Sequence, residues 1–180
     1  MKIRKSISVM LAIAVVIMSL NIPALGVVTV EEDDGYTTLD TFSIPLSVAV
    51  SNTSEKMMPV RNVDVELRAN ISIQQKTGRN RIRTVIEVET VDFWSNVMIE
   101  SFAGGINYVD CTEFSLPSCY NTVNAVGTAP YANFLKHTTD SVSFISGHDI
   151  SVAVTISDVQ MTNAIWLGEP VSTSRIITIL

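Results

Sequence analysis

Between residues 62 and 74 apolar and polar side chains alternate without a break. Val63, Val65, Leu67, Ala69, Ile71 and Ile73 interleave with Asn62, Asp64, Glu66, Arg68, Asn70, Ser72 and Gln74. A period of two sends one set to each face of an extended chain, so the segment predicts a half-buried strand. At about 3.3 Å per residue, the run from 63 to 73 reaches about 36 Å, enough to bend or to span the full height of a sandwich. The turn-forming stretch Lys76-Thr77-Gly78-Arg79-Asn80 leads into Arg81 to Val91, where Ile82, Ile86 and Val88 share one side. The two runs predict a hairpin. Its outer face carries Asp64, Glu66 and Arg68 against Arg81, Arg83, Glu87 and Glu89, opposite-sign neighbours that suit a solvated sheet face.

The same reasoning predicts strands over Ile44 to Val50, Val97 to Phe102, Ile106 to Val109, Asn121 to Val126, Val142 to Ile145, Ile150 to Ile156 and Arg175 to Leu180. Gly104-Gly105, Gly147-His148-Asp149 and Gly168-Glu169-Pro170 read as the turns between them. Beyond the amino-terminal segment no long window carries a 3.6-residue apolar period. The pattern is that of an all-β chain, a single antiparallel β-sandwich of immunoglobulin-like or jelly-roll type, forming one domain over 27–180.

Residues 1–26 follow a different logic. Lys2, Arg4 and Lys5 precede an almost unbroken apolar run, Val9 to Leu20, and Pro23 and Ala24-Leu25-Gly26 follow it. That is the three-part layout of a signal peptide, with cleavage after Gly26. Retained, Val9 to Val30 could just span a bilayer as an anchor, the one membrane contact the sequence offers. A third reading is a pilin-type leader cut near Ser6. All three deliver the globular part outside the cytoplasm, since the basic cluster lies before the apolar run and Glu31-Glu32-Asp33-Asp34 lies after it.

Charge narrows the partners. The chain has 12 Lys and Arg against 18 Asp and Glu, and loss of the leader would remove only basic residues. An acidic surface without clustered Lys and Arg cannot displace counterions from a phosphate backbone, which excludes nucleic acid as a partner.

Candidate chemistry is sparse. Cys111 and Cys119, in an exported chain, predict a disulfide that staples a nine-residue loop and removes roughly 2.5 kcal/mol of unfolded-state entropy in the chain-entropy picture. Two cysteines without a neighbouring histidine fall short of a metal site. His137 and His148 read as loop residues, and Phe144-Ile145-Ser146-Gly147-His148 lacks the first glycine of a nucleophile elbow. No catalytic residue, cofactor-binding residue or metal ligand is assigned, and the chain is read as a non-enzyme. Glu31-Glu32-Asp33-Asp34-Gly35 is the one candidate calcium set; without the alternating oxygens of an EF-hand loop it reads as an acidic, solvated segment. Asn52 and Asn70 head glycosylation sequons. Trp94 and Trp166 are read as core or core-edge aromatics.

An export segment followed by a single sandwich resembles the secreted β-sandwich filament subunits of bacteria and archaea, camelysin-like or archaeal pilin-like proteins. The resemblance covers the order of features and carries no site residue. It implies a non-enzymatic extracellular protein, a subunit of a cell-surface filament or sheath, whose partners are further copies of itself or other surface proteins. The alternatives are a secreted carbohydrate- or peptide-binding module and, with the leader retained, a membrane-anchored ectodomain. For assembly by strand addition, Val27 to Val30 and Ile176 to Leu180 are short, apolar, β-branched terminal segments. The alternative is that both pair with their own sheet as ordinary edge strands; if one is donated, the first is favoured, with 31–35 as its tether.

Overall fold

A computed structural model describes residues 35–51, 64–91, 97–113 and 118–180. The leader, Val27 to Val30, the acidic residues 31–34, Asn52 and Trp94 lie outside the described residues. Ten strands follow in chain order: β1 (Tyr36–Ser51), β2 (Asp64–Lys76), β3 (Arg81–Thr90), β4 (Ile99–Asp110), β5 (Cys119–Val126), β6 (Phe134–Thr138), β7 (Val142–Ser143), β8 (Asp149–Met161), β9 (Ala164–Trp166) and β10 (Val171–Thr178). Every pairing is antiparallel.

They form the expected sandwich. One layer runs β5-β4-β8-β10, the other β1-β2-β3-β6 with β7 also on β3, and β9 joins them by pairing with both β8 and β1. The reason lies in the alternation. Val65, Leu67, Ala69, Ile71 and Ile73 of β2 are buried while Glu66 and Arg68 between them are exposed. Ile150, Val152, Val154 and Ile156 of β8 are wholly buried, as are Phe102, Ile106 and Tyr108 of β4. These stripes, with Ile82, Ile86 and Val88 of β3, make one core between the layers. The predicted β2–β3 hairpin is present, turning through Gly78 at φ 67°.

One buried polar group crosses the core. The Tyr108 hydroxyl on β4 lies 2.8 Å from Thr84 Oγ1 on β3 and 3.5 Å from Thr139 Oγ1, which itself accepts the Thr84 N–H at 3.0 Å. Burial pushes the Tyr108 phenol above its ordinary range against the opposing pull of these hydrogen bonds, so it stays a neutral partner.

The structure corrects the sequence reading in the middle of the chain. Gly104-Gly105 is not a turn; the two segments placed on either side of it are one strand, β4. Between Ala103 and Gly104 the β4–β8 register slips, Ala103 facing Asp158 and Gly104 facing Ile156, with Ser157 as the extra residue of a bulge. A Cβ on Gly104 would run into the Thr155 carbonyl oxygen, and one on Gly105 into the Tyr120 ring. The glycines are there for close approach. β6 and β9 had no counterpart in the sequence reading, and β10 starts four residues earlier than the segment read there.

Gly104→Ala should therefore lower stability by about 3 kcal/mol, since the obstacle is backbone that cannot swing aside. Gly78→Ala, in open space at positive φ, should cost about 1 kcal/mol. Urea denaturation midpoints of the two variants check the ranking.

Candidate functional site

At one end of the sandwich the chain ties itself into a polar knot. β4 ends at Asp110, opposite the start of β8, and the loops beyond both strands meet there. Asp110 Oδ1 accepts the N–H groups of Thr112 at 2.9 Å and Glu113 at 3.0 Å, and Oδ2 lies 2.7 Å from His148 Nδ1. Thr112 Oγ1 accepts the Asp149 N–H at 2.9 Å, the Cys111 N–H donates to the Asp149 carbonyl at 2.8 Å, and Thr178 Oγ1 donates to Asp149 Oδ1 at 2.7 Å. The 147–148 turn is stitched to β10's exit by Gly147 N–H to the Ile179 carbonyl and Ile179 N–H to the His148 carbonyl. Gln75 of β2 closes the other layer onto the same end. Its Nε2 donates to the Leu180 carbonyl at 2.9 Å and its Oε1 accepts the Leu180 N–H at 3.2 Å.

Burial alone would raise the Asp110 carboxyl. The hydrogen bond and charge of His148, with the two backbone amides, outweigh it and hold the carboxyl below the ordinary range. An oriented imidazole beside a carboxylate is half of an acid–base apparatus, but each hydrogen bond of this pair closes strand ends on one another. Among the described residues no three His, Cys, Asp or Glu side chains converge as a metal site.

The other singled-out residues are scattered. His148 lies in a loop as expected, and the contact with Asp110 was invisible in sequence. His137 does not lie in a loop: it sits in β6, opposite Ile86 of β3. Cys111 and Cys119 are both free thiols. Cys119 opens β5 opposite Tyr108, three positions short of Cys111, whose backbone is drawn toward Asp149 on the far side of β4. Asn70 lies within β2 with its amide engaged both ways, Oδ1 by the Ser43 hydroxyl at 2.8 Å and Nδ2 by Glu89 at 2.8 Å. Glu89 also takes Arg68, at 2.6 Å, the registered pair expected on the wet face. Trp166 is half-buried in β9 against the core edge. Ile176 to Leu180 does not stand apart: β10 pairs with β8 along its whole length.

Beside the Arg68–Glu89 pair opens a cleft of about 580 Å³, lined also by Val91, Met98, Tyr131 and Phe134.

The outer edges of the sheets differ in how they are guarded. Arg175 of β10 is registered opposite buried Val152 and Asp40 of β1 opposite buried Ile73, so both point toward the interlayer gap. They meet there at 3.9 Å, with the guanidinium 5.0 Å from the Phe42 ring. β1 also carries Pro45, and β6 carries Lys136. Inward charge and proline are common means of keeping edges unpaired. β5 has neither: Cys119-Tyr-Asn-Thr-Val-Asn-Ala-Val126 is uncharged, is paired only with β4 among the described residues, and exposes Tyr120 (65%) and Val126 (71%).

No protein family, characterised protein or solved structure matches this chain.

The depressed Asp110 carboxyl fixes a sign. A group whose folded pKa lies below its unfolded value, about 3.9 for Asp, contributes stability that is present above that value and lost as pH falls through the folded pKa. Asp110→Asn should flatten the acid limb of a plot of unfolding free energy against pH, measured by urea denaturation below about pH 4.

Proposed function

We propose that this protein is an exported, non-enzymatic structural subunit of a cell-surface filament or sheath, and that its partners are further copies of itself. The observation that carries the reading is the unguarded β5 edge. An uncharged strand of eight residues whose outer hydrogen-bonding groups have no partner strand among the described residues is a template for another strand, and the other long edges carry the charges and proline that prevent it. An acidic sandwich that meets its copies through an uncharged edge also avoids the repulsion that its net charge, −9 once Lys2, Arg4 and Lys5 leave with the leader (12 − 3 = 9 basic against 18 acidic residues), would otherwise impose. The export segment read in the sequence supports the same compartment.

Of the two terminal segments considered as donors, Ile176 to Leu180 has its partners inside its own chain, β8 and Gln75. That leaves Val27 to Val30 as the donor in this reading. The purified protein should pellet and show fibres by negative-stain microscopy, and deletion of Val27 to Val30 should leave a folded protein without fibres. Monodisperse wild-type particles at all concentrations would overturn the assignment.

Export carries two further expectations. Intact mass of the secreted protein should correspond to a chain beginning near Val27. Export to an oxidising compartment would also join Cys111 and Cys119, which are unbridged in the structure and flank one loop: alkylation of non-reduced, denatured protein should then find no thiol, whereas two labelled cysteines would remove the bridge.

The cleft beside Arg68 and Glu89 supports a second reading, a carbohydrate- or peptide-binding module. Tyr131 and half-exposed Phe134 offer apolar surface next to a charged pair that could take hydroxyl or amide groups. A monomer that binds a glycan array in a manner abolished by Phe134→Ala would favour it.

A further inference from the structure

The β5 edge carries more information than its lack of charge, because the ladder on its inner side fixes which of its backbone groups are free. The Gly127 N–H donates to the Glu100 carbonyl at 2.7 Å, one step beyond the registered pair Ser101 and Val126. In an antiparallel ladder, residues that exchange hydrogen bonds with one neighbour alternate with residues that do not. The register runs from Ser101/Val126 to Tyr108/Cys119 without a slip, so residues 119, 121, 123, 125 and 127 are the ones bonded to β4. Tyr120, Thr122, Asn124 and Val126 then aim both N–H and C=O at the open edge. The side chains of these four are exposed, while Val123 and Ala125 are buried.

From this pattern we infer that β5 pairs antiparallel with β5 of a second copy about a two-fold axis at Val123. The inference rests on the self-association reading above and gives the β5 edge to a second β5 within a dimer, which leaves Val27 to Val30 to link one dimer to the next. A two-fold contact puts the same patch on both sides, so residue i meets residue j and residue j meets residue i. Hydrogen bonds form only if free residues face free residues, which restricts pairing to even-numbered positions. Centred on Val123, Tyr120 faces Val126 of the second copy, Thr122 faces Asn124, and both relations repeat across the axis. All four free residues on each chain are used, giving eight main-chain hydrogen bonds by the antiparallel rule. Shifting the axis by one residue in either direction leaves an end residue without a β5 partner.

The side chains agree with that register. The two large apolar groups that β5 leaves exposed, Tyr120 and Val126, come opposite one another on the outer face, an aromatic against a β-branched residue. The polar pair Thr122 and Asn124 occupies the middle. Two four-stranded layers, one from each copy, become a continuous eight-stranded sheet with no charged side chain at the seam.

The test uses the purified full chain. Sedimentation across concentrations up to about 1 mM should show a reversible dimer or a larger assembly built from it. Amide hydrogen exchange read by NMR should show the N–H groups of Tyr120, Thr122, Asn124 and Val126 gaining protection as concentration rises, and those of residues 121, 123 and 125 protected throughout. Asn124→Pro removes a donor that β4 does not use and should raise the dissociation constant at least about tenfold. Should the ring disturb the strand, as circular dichroism would reveal, Thr122→Lys places a charge on an exposed side chain and should act in the same direction. A protein that stays monomeric throughout, an assembly in which the even-numbered amides exchange as freely as in dilute solution, or folded variants that associate unchanged would each overturn the pairing. Fibres that survive folded Thr122→Lys would end the β5 contact and leave the filament reading standing. Dimers protected at β5 that never grow would do the reverse.

Discussion

Two stripes of branched aliphatic side chains, Val65 to Ile73 on β2 and Ile150 to Ile156 on β8, can leave water only by covering each other. Each layer has one apolar face, and neither is stable with that face wet. The rest of the architecture follows from keeping those faces in register. β3 and β4 extend the stripes, the Tyr108–Thr84 hydrogen bond fixes one layer's position over the other, and the knot around Asp110 together with Gln75 seals the end where the strands would otherwise fray. The Tyr108–Thr84 contact between layers is satisfied on both sides, so it adds specificity without leaving an orphaned group.

What could be read in advance was set by how one-sided each segment is. β2 and the first half of β8 alternate cleanly, β3 does so apart from Val85, and a strand with one wet face writes its register into the sequence. β4 does not, because its two glycines serve a bulge and a ring packed from β5, and at the level of composition a close approach is indistinguishable from a turn. β6 and β9 are too short to display a period, which is why His137, within β6, reads as a loop residue from the sequence. The Asp110–His148 contact joins residues brought together by the β4–β8 register alone, so no local spacing could announce it. The parity of β5, on which self-pairing depends, likewise belongs to the ladder and not to the residues.

The edges show how one molecule separates association from aggregation. Asp40 and Arg175 pair at the flank between the layers, both still partly exposed to water. Their pairing draws β1 and β10 together so that each helps to cover the other's flank. On the opposite flank β6 carries Lys136, and among the described strands β5 is the edge left bare. Selectivity of this kind costs little stability, because it is written in a few side chains on strands that the core already holds in place.

β9 gives the fold a temporal order. The last three residues of β1, Ala49 to Ser51, pair with Ala164, Ile165 and Trp166, which lie near the opposite end of the chain, and the next strand, β10, completes the other layer. Contacts so distant in sequence cannot form until nearly all of the polypeptide is available, and topologies dominated by them fold in roughly milliseconds to seconds. A chain threaded amino-terminus first through a narrow channel would thus emerge able to pair β1 with β2 at once, while the last three residues of β1 waited for a partner still in transit, and the sandwich would close only when passage is almost finished.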